Sequence, residues 1–367
     1  MRLFVLSAGC FALQTLGRTR MLIDSLTFVL EKSGALDDFW GKIDAGTDAT
    51  LGVASSARPF LASAQFSRSP RPTLVVVAGE DAAIAFARNM AAYLGEDRVL
   101  LFPERADTPF SPKTPDARKV ARRMEAAFSL ACGRPRVVVA SARALIRMIP
   151  PKDSLVAAPL VFEAGVELAD TAREGEAALP GAVRERCCVE SFEDVARSLE
   201  DRGYANTGEL DGPGTFAVHG GTIDVFPGNL TYPVRVDFFG DEVDEIRRIV
   251  PSTGQTISPL SRVEIYPVRE YSCSAETIAC ARRKIAAPAK SNVVLRDMLE
   301  KLDGGLRFEG ADALLPYLYD KPVTLGAWAG SDTMTCLIEP RSLFDDATHV
   351  YEDIEARAKG TKIPVAG

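Results

Sequence analysis

The residues that come nearest to a nucleotide-binding site lie between Gly52 and Pro59. The phosphate-binding Walker A loop has the pattern GxxxxGK[ST], and its closest register here is Gly52-Val-Ala-Ser-Ser-Ala57-Arg58-Pro59. Ala57 replaces the second glycine, Arg58 replaces the lysine, and Pro59 replaces the hydroxyl that would bind Mg²⁺. Proline also lacks the backbone N–H that an anion-binding loop uses. We therefore expect neither ATP hydrolysis nor a bound cofactor at this degenerate loop.

Other catalytic or metal-binding patterns are equally incomplete. The chain contains neither HExxH nor GxSxG, its histidines (His219 and His349) are isolated, and its seven cysteines form no CxxC pair. The acidic run Asp241–Glu245 is open to two interpretations, a metal site or a solvated turn and strand, and we favour the second. Strict alternation would put Asp241, Val243 and Glu245 on one face of that strand.

Charge is distributed unevenly along the 367 residues, whose formal net charge is −7. The basic stretch Lys113–Arg147 fits either a contact with DNA phosphates or an ordinary solvated helix face. The segment 151–270 carries 11 Lys and Arg against 22 Asp and Glu, a net of −11. Such a segment repels nucleic acid but can dock on a basic protein surface.

The elements that would hold these residues change character near residue 150. From residue 73 to residue 149, apolar strands alternate with amphipathic helices, which predicts a parallel sheet covered on both faces. After an Ala/Glu/Arg-rich loop or loose helical insertion at 163–188, short alternating strands from Thr215 to Val250 predict an antiparallel meander. Helices then return, with a further strand at Met334.

This order predicts an α/β fold with a smaller, antiparallel β-rich domain inserted into the parallel-sheet domain. We expect an N-terminal extension at 1–45, the first part of the parallel-sheet domain at 46–150, the inserted domain at 151–268 and the returning part at 269–367. No apolar run approaches the length of a membrane span. Met1–Leu16 is compatible with a signal peptide or with a start upstream of Met21, but the composition favours a cytoplasmic protein.

Several motifs, taken in their order along the chain, resemble those of one family, the transcription-repair coupling factors. They resemble in particular the module that this family shares with the excision-repair protein UvrB. The motifs are Phe110-Ser-Pro with Arg122-Arg123, the run 137–145 with its Pro-Pro stop, Gly203-Tyr204, the segments 214–227 and 233–247, and the run 310–325. UvrB keeps a working Walker A loop and the amino-terminal module of the coupling factors does not. The degenerate loop therefore indicates a resemblance to the coupling factors.

The resemblance implies a fold, a partner and a site. The first domain would be a RecA-like unit without ATPase activity, and the inserted domain would bind UvrA, the damage-recognition protein. RNA polymerase and DNA would be bound by parts of the family that lie further along the chain. The UvrA-binding residues implied are Arg235 and Asp237, together with Asn206 and His219, which stand near or at positions where the family has arginine.

Three functions from different classes follow. The first is a non-catalytic UvrA-binding adaptor, which we favour. The second is a DNA-dependent ATPase of the UvrB kind that uses an unrecognised nucleotide site. The third is a DNA-binding module that acts through Lys113–Arg147.

Overall fold

The computed structural model describes residues 23–105, 115–154, 156–171, 187–304, 308 and 310–358. Met1–Leu16 and Phe110-Ser-Pro, which the sequence singled out, lie outside these residues. The helices are α1 (residues 23–33), α2 (Asp37–Asp44), α3 (Arg58–Arg68), α4 (Glu80–Leu94), α5 (Ala117–Ala131), α6 (Ala142–Ile146), α7 (Phe192–Asp201), α8 (Ala275–Ala289), α9 (Val293–Asp303), α10 (Leu315–Leu318) and α11 (Pro340–Ala358). The strands are β1 (Thr73–Val77), β2 (Val99–Phe102), β3 (Val137–Ser141), β4 (Leu160–Glu163), β5 (Val166–Glu167), β6 (Ala205–Asn206), β7 (Thr215–His219), β8 (Thr222–Phe226), β9 (Val234–Phe239), β10 (Glu242–Ile249), β11 (Thr256–Leu260), β12 (Arg262–Ile265) and β13 (Met334–Leu337).

The predicted parallel sheet is confirmed. Its strand order among the described residues is β13-β1-β3-β2, with every pair parallel. Each residue of β1 and β3 is buried, as expected for all-apolar strands covered on both faces. One face packs on Phe66 of α3 and Met90 of α4, and the other on Met124 of α5.

The antiparallel meander is also confirmed, as part of a second sheet. That sheet has the order β11-β10-β9-β8-β7-β6, with β5 paired to β10 and β6 parallel to β7. Its residues fall between β3 and β13 in the chain, so the parallel sheet is interrupted and then resumed. A separate two-stranded sheet, β4 with β12, was not predicted from the sequence.

The prediction of a loop or loose helix at 163–188 is wrong for its described part. Glu163 ends β4, and Val166–Glu167 form β5, in which Val166 lies opposite Val243 of β10. The backbone of β5 finds its hydrogen-bond partners in β10, which is distant in the sequence, so the composition of residues 163–188 does not predict this strand. Residues 172–186 lie outside the described part of the chain.

A turn of the second sheet packs directly against α5 of the first. Gly228 is required there, because a Cβ atom at this position would lie 2.4 Å from the carbonyl oxygen of Ala117. Arg118 donates a hydrogen bond to the Leu230 carbonyl oxygen at 3.0 Å. Beyond the end of α5, Arg134 donates to both carboxylate oxygens of Glu264 in β12, at 2.9 and 3.0 Å. Close packing at Gly228 and the hydrogen bond from Arg118 therefore join the second sheet to α5, and the Arg134–Glu264 pair joins the small β4–β12 sheet to the end of the same helical region.

A buried ion cluster lies where the chain returns from the second sheet. Glu270 accepts from Arg123 at 2.5 Å and from Arg105 at 3.0 Å, and all three side chains are fully buried. Arg105 also pairs with Asp312 at 2.9 Å, and the Arg123 guanidinium lies 4.0 Å from the centre of the Phe102 ring. Burial alone would raise the pKa of Glu270, but the charges of Arg123 and Arg105 lower it to about 2.

We predict that Glu270→Gln costs about 3–5 kcal/mol of unfolding free energy, because two buried guanidinium groups lose their shared counter-charge. Chemical denaturation at neutral pH measures this loss. The matched control is Asp297→Asn, which breaks an exposed pair with Lys301 and should cost less than about 1 kcal/mol. Equal losses for the two variants would contradict the assigned role of the cluster.

Acid titration gives a second prediction for the same carboxylate. Because the folded pKa of about 2 lies below the ordinary value of 4.5, Glu270 stabilises the fold fully above pH 4.5. That contribution, of order 3 kcal/mol, is lost as the pH falls from 4.5 towards 2. The unfolding free energy of Glu270→Gln should therefore vary less over this range than that of the wild type. If the unfolding free energies of the variant and of the wild type fell by the same amount over this pH range, the prediction would be contradicted.

Candidate protein-docking site

The second sheet has an apolar face and a polar face. Phe216, Val225 and Val236 are buried on the apolar face, where they form one core with Val195 and Leu199 of α7. Alternation then places Asp224, Arg235 and Asp237 on the opposite face, in the central strands β8 and β9. The prediction that Arg235 and Asp237 share a face is confirmed by this register.

An ion pair crosses the centre of the polar face. Arg235 lies directly opposite Asp224 and donates two parallel hydrogen bonds of 2.7 Å to its carboxylate. The hydrogen bond to Asp224 raises the pKa of the Arg235 guanidinium. The Asp224 side chain is only 9% exposed, so its charge depends on this partner. Asp224 is therefore a salt-bridged strand residue.

A second pair extends this arrangement towards β10. Arg247 pairs with Asp237, which also accepts a hydrogen bond of 2.7 Å from the Thr222 hydroxyl. The two ion pairs therefore fix four charged side chains across β8, β9 and β10. We call Asp224, Arg235, Asp237 and Arg247 the charge ladder.

The other two predicted docking residues lie apart from one another. His219 is exposed and pairs with Thr222, which places it on the ladder's face of the sheet. Asn206 is exposed on the edge strand β6 and pairs with Phe216, so the register assigns it to the other face. The structure thus brings together Arg235, Asp237 and His219 but not Asn206.

Phe239 was not predicted as a docking residue from the sequence; it ends β9 two residues after Asp237 and shares its face. Its exposed fraction is 82%, whereas the preceding Phe238 packs against Phe162 and Phe192 with ring centroids 5.8 and 5.0 Å away. Alternation from Val236 could have indicated that Phe238 points inward and Phe239 outward. An exposed aromatic ring next to fixed charges is typical of a protein-binding surface.

Alternation fails in the acidic run Asp241–Glu245. A register shift between Val243 and Glu245 leaves Asp244 as an extra residue, and the buried positions become Val243 and Ile246. Predicting Val243 and Glu245 on one face is therefore wrong, because a β-bulge interrupts the pleat. Asp241 also accepts a hydrogen bond from the backbone N–H of Phe192, at the start of α7. Within the described residues, no group of three or more candidate ligands could hold a metal ion.

The degenerate loop lacks the surroundings of a phosphate site. A phosphate-binding loop follows a strand, but residues 47–54 contain no strand, and α3 begins at Arg58 with Pro59 in its first turn. Gly52 precedes α3, and Ala57 ends a short 3₁₀ turn before it. Arg58 pairs at 2.7 Å with Glu339, the single described non-glycine residue with positive φ (54°). The carboxylate of Glu339 thus neutralises the cation that would otherwise attract phosphate.

Carboxylates also lie beyond the carboxyl ends of the parallel strands, where α/β sheets bind ligands. Glu104, which follows β2, accepts a hydrogen bond of 2.5 Å from Ser141 at the end of β3. Glu80, which starts α4 after β1, accepts one of 2.8 Å from the backbone N–H of Glu104. This arrangement is electrostatically unfavourable for a triphosphate.

The basic stretch Lys113–Arg147 is largely used inside the protein; Lys113 itself lies outside the described residues. Arg123 is buried with Glu270, Arg134 pairs with Glu264, and Arg136 lies 3.6 Å from Glu125. Lys119 lies 3.6 Å from Glu80. Neither interpretation of the stretch covers Arg123 and Arg134, because carboxylates from distant parts of the chain pair with them, whereas Arg122 is exposed as a solvated face would have it.

Comparisons with known proteins agree with the resemblance identified from the motifs. The family model described as "UvrB interaction domain" matches residues 190–271, which contain the charge ladder, His219, Asn206 and Phe239. The resemblance to transcription-repair coupling factors is confirmed. The chain is 28% identical over 322 residues to the transcription-repair-coupling factor of Myxococcus xanthus, covering 83% of this chain and 25% of that protein. It is 23% identical over 304 residues to the transcription-repair-coupling factor of Bacillus subtilis, covering 78% of this chain and 24% of that protein.

A second kind of relative is matched over a shorter stretch. The UvrABC system protein B of Synechococcus elongatus is 32% identical over 119 residues, covering 32% of this chain and 18% of that protein. The chain spans about a quarter of the length of the coupling factors that it matches. Every described helix is too short or too polar to cross a membrane.

The charge ladder generates a stability prediction. We expect Arg235→Ala to cost about 2 kcal/mol, because it leaves the largely buried Asp224 carboxylate without its donor. A double-mutant cycle with Asp224→Ala should give a coupling energy of about 1–2 kcal/mol by denaturant unfolding. A coupling near zero would mean that the pair does not contribute to stability.

Proposed function

We propose that this chain is a non-catalytic docking module that binds UvrA and so couples nucleotide excision repair to transcription. The proposal applies to the region that resembles the coupling factors. Contacts with RNA polymerase and DNA belong, in this proposal, to parts of a longer protein that the relatives carry further along the chain. The proposed setting is the cytoplasm.

The observation that carries the proposal is the location of Phe239. This highly exposed ring lies beside the charge ladder, inside the segment that matches the UvrB interaction domain. Protein interfaces concentrate binding energy in aromatic anchors surrounded by polar residues. Because the ladder is already paired, the face has a defined shape before any partner arrives, which lowers the entropy lost on docking.

Charge supports a protein partner rather than DNA. The segment 151–270 has a net charge of −11, which favours a basic protein surface by complementarity. Four cations of the stretch Lys113–Arg147 are paired with carboxylates, which weakens the DNA-binding alternative. The carboxylates of Glu80 and Glu104 beyond the parallel strands similarly weaken the ATPase alternative.

The direct test is the affinity of UvrA for Phe239→Ala, measured by surface plasmon resonance on the immobilised chain. We predict that this substitution weakens binding at least about tenfold, because an exposed anchor ring is lost. Phe239→Ala leaves the ladder intact and should unfold like the wild type. It therefore separates a docking effect from the folding defect expected for Arg235→Ala.

The matched control is Phe344→Ala on α11, a ring that is 72% exposed but lies outside the segment 190–271. This variant should bind UvrA as the wild type does. If both variants weaken binding equally, or if neither does, Phe239 is not the anchor. If the wild type itself fails to bind UvrA, the proposed function is wrong.

Nucleotide binding provides an independent test. ATP with Mg²⁺ should leave the thermal unfolding midpoint unchanged, whereas a ligand at 100 times its Kd would add about 2.7 kcal/mol of stability. Differential scanning fluorimetry in the presence of ATP measures the shift. A clear upward shift, or hydrolysis of ATP by the purified chain, would favour the UvrB-like ATPase alternative.

A further inference from the structure

The parallel sheet has an edge strand whose outer side borders a cleft. In the described part of the chain, β2 pairs with β3 alone. A cleft of about 220 Å³ adjoins β2 and is lined by Val99, Leu100, Leu101, Arg122, Glu125 and Asn229. The walls therefore come from the edge strand, from α5 and from the turn of the second sheet that packs on α5.

This cleft runs along the edge of β2 rather than over one of its faces. Val99 and Leu101 pack against the core beneath α3 and α4, whereas Leu100 packs against the core beneath α5. Consecutive residues on opposite faces can line one cavity only where that cavity follows the backbone edge. The backbone N–H and C=O groups on that edge thus face an open groove.

The composition of β2 leaves this edge unprotected. Proteins guard exposed edges with proline, with charged residues or with very short strands. Strand β11 carries Pro259 at the edge of the other sheet, and β6 at its opposite edge has only two residues. The β2 sequence Val-Leu-Leu-Phe has neither proline nor a charged side chain.

Polar groups on the far wall complete the groove. Glu125 lies 3.6 Å from Arg136, and its burial raises its pKa to about 7. Arg122 is the exposed cation in the lining of this cleft, and its charge acts on the neighbouring Glu125 carboxyl, whose pKa it lowers against the effect of burial. The Asn229 amide donates to the Glu264 carbonyl oxygen at 3.3 Å, while its own buried oxygen has no donor within the described residues.

We propose that the edge of β2 is a second protein-binding site, which accepts an extended acidic segment of another protein as an additional strand. Backbone hydrogen bonds to β2 supply the affinity, and a carboxylate of the incoming segment pairs with Arg122. The bound strand would contact α5 and the turn at Asn229 as well, so it would touch both sheets. This site is distinct from the charge ladder and does not depend on UvrA binding.

The experiment uses the full chain and a short fluorescein-labelled peptide of alternating valine and threonine with one central glutamate. Fluorescence anisotropy should show saturable binding, and exchanging glutamate for lysine in the peptide should weaken it about fivefold. Arg122→Glu should reverse this preference and favour the lysine peptide. The matched control is Arg143→Glu, an exposed arginine on α6 outside the cleft, which should leave the preference unchanged.

A peptide N-methylated along its backbone tests for strand pairing, since it cannot donate hydrogen bonds to β2. It should fail to bind, and the unmodified peptide should slow hydrogen exchange at Val99–Leu101. The proposal is overturned if the unmodified peptide does not bind, if N-methylation has no effect, or if wild type binds both charge forms equally. A chain that dimerises through β2 in sedimentation would also overturn it, because the occupant would then be a second copy.

Discussion

The carboxylate of Glu270 is the counter-charge for two guanidinium groups that no solvent reaches. Arg105 and Arg123 come from the first stretch of the parallel-sheet unit, Glu270 from the point of return, and Asp312 from the later helices. Removing Glu270 takes away a counter-charge from both buried guanidinium groups, so these stretches stabilise one another when they assemble. Through Arg123, the cluster ties the point where the chain returns to α5, on which the turn of the second sheet packs.

Ion pairs also neutralise charged side chains at the places that the sequence suggested as binding sites. The charge ladder fixes Arg235 and Asp237 inside the sheet, and Arg58 is neutralised by Glu339. Arg123 of α5 pairs with Glu270, and Arg134, which follows α5, pairs with Glu264. Arginines that resemble binding residues in the sequence are thus mostly structural. On the polar face of the second sheet, the large apolar side chain that stays most exposed beside these pairs is Phe239.

The pattern of apolar residues within each strand predicted both sheets, because that pattern reflects how the strand itself is buried. The all-apolar run at Thr73–Val77 and the alternation at Val234–Phe239 each indicated the correct environment. Features that depend on distant residues were missed, including the pairing of Val166 with Val243 and the burial of Arg123. The β-bulge at Asp244 was missed because it breaks the period on which the prediction relied. For the candidate site, Arg235 and Asp237 were predicted from the resemblance and their shared face from alternation, whereas Phe239 required the exposed fractions of individual side chains.

The proposed docking face is fixed by the charge ladder and lies in the segment that matches the UvrB interaction domain. Competition measures this most directly: UvrA is held with the labelled chain, and unlabelled UvrB is titrated into the complex. The account predicts complete displacement with a single transition, because one surface of UvrA would accept either protein. A ternary complex in which UvrA retains the labelled chain at saturating UvrB would contradict it.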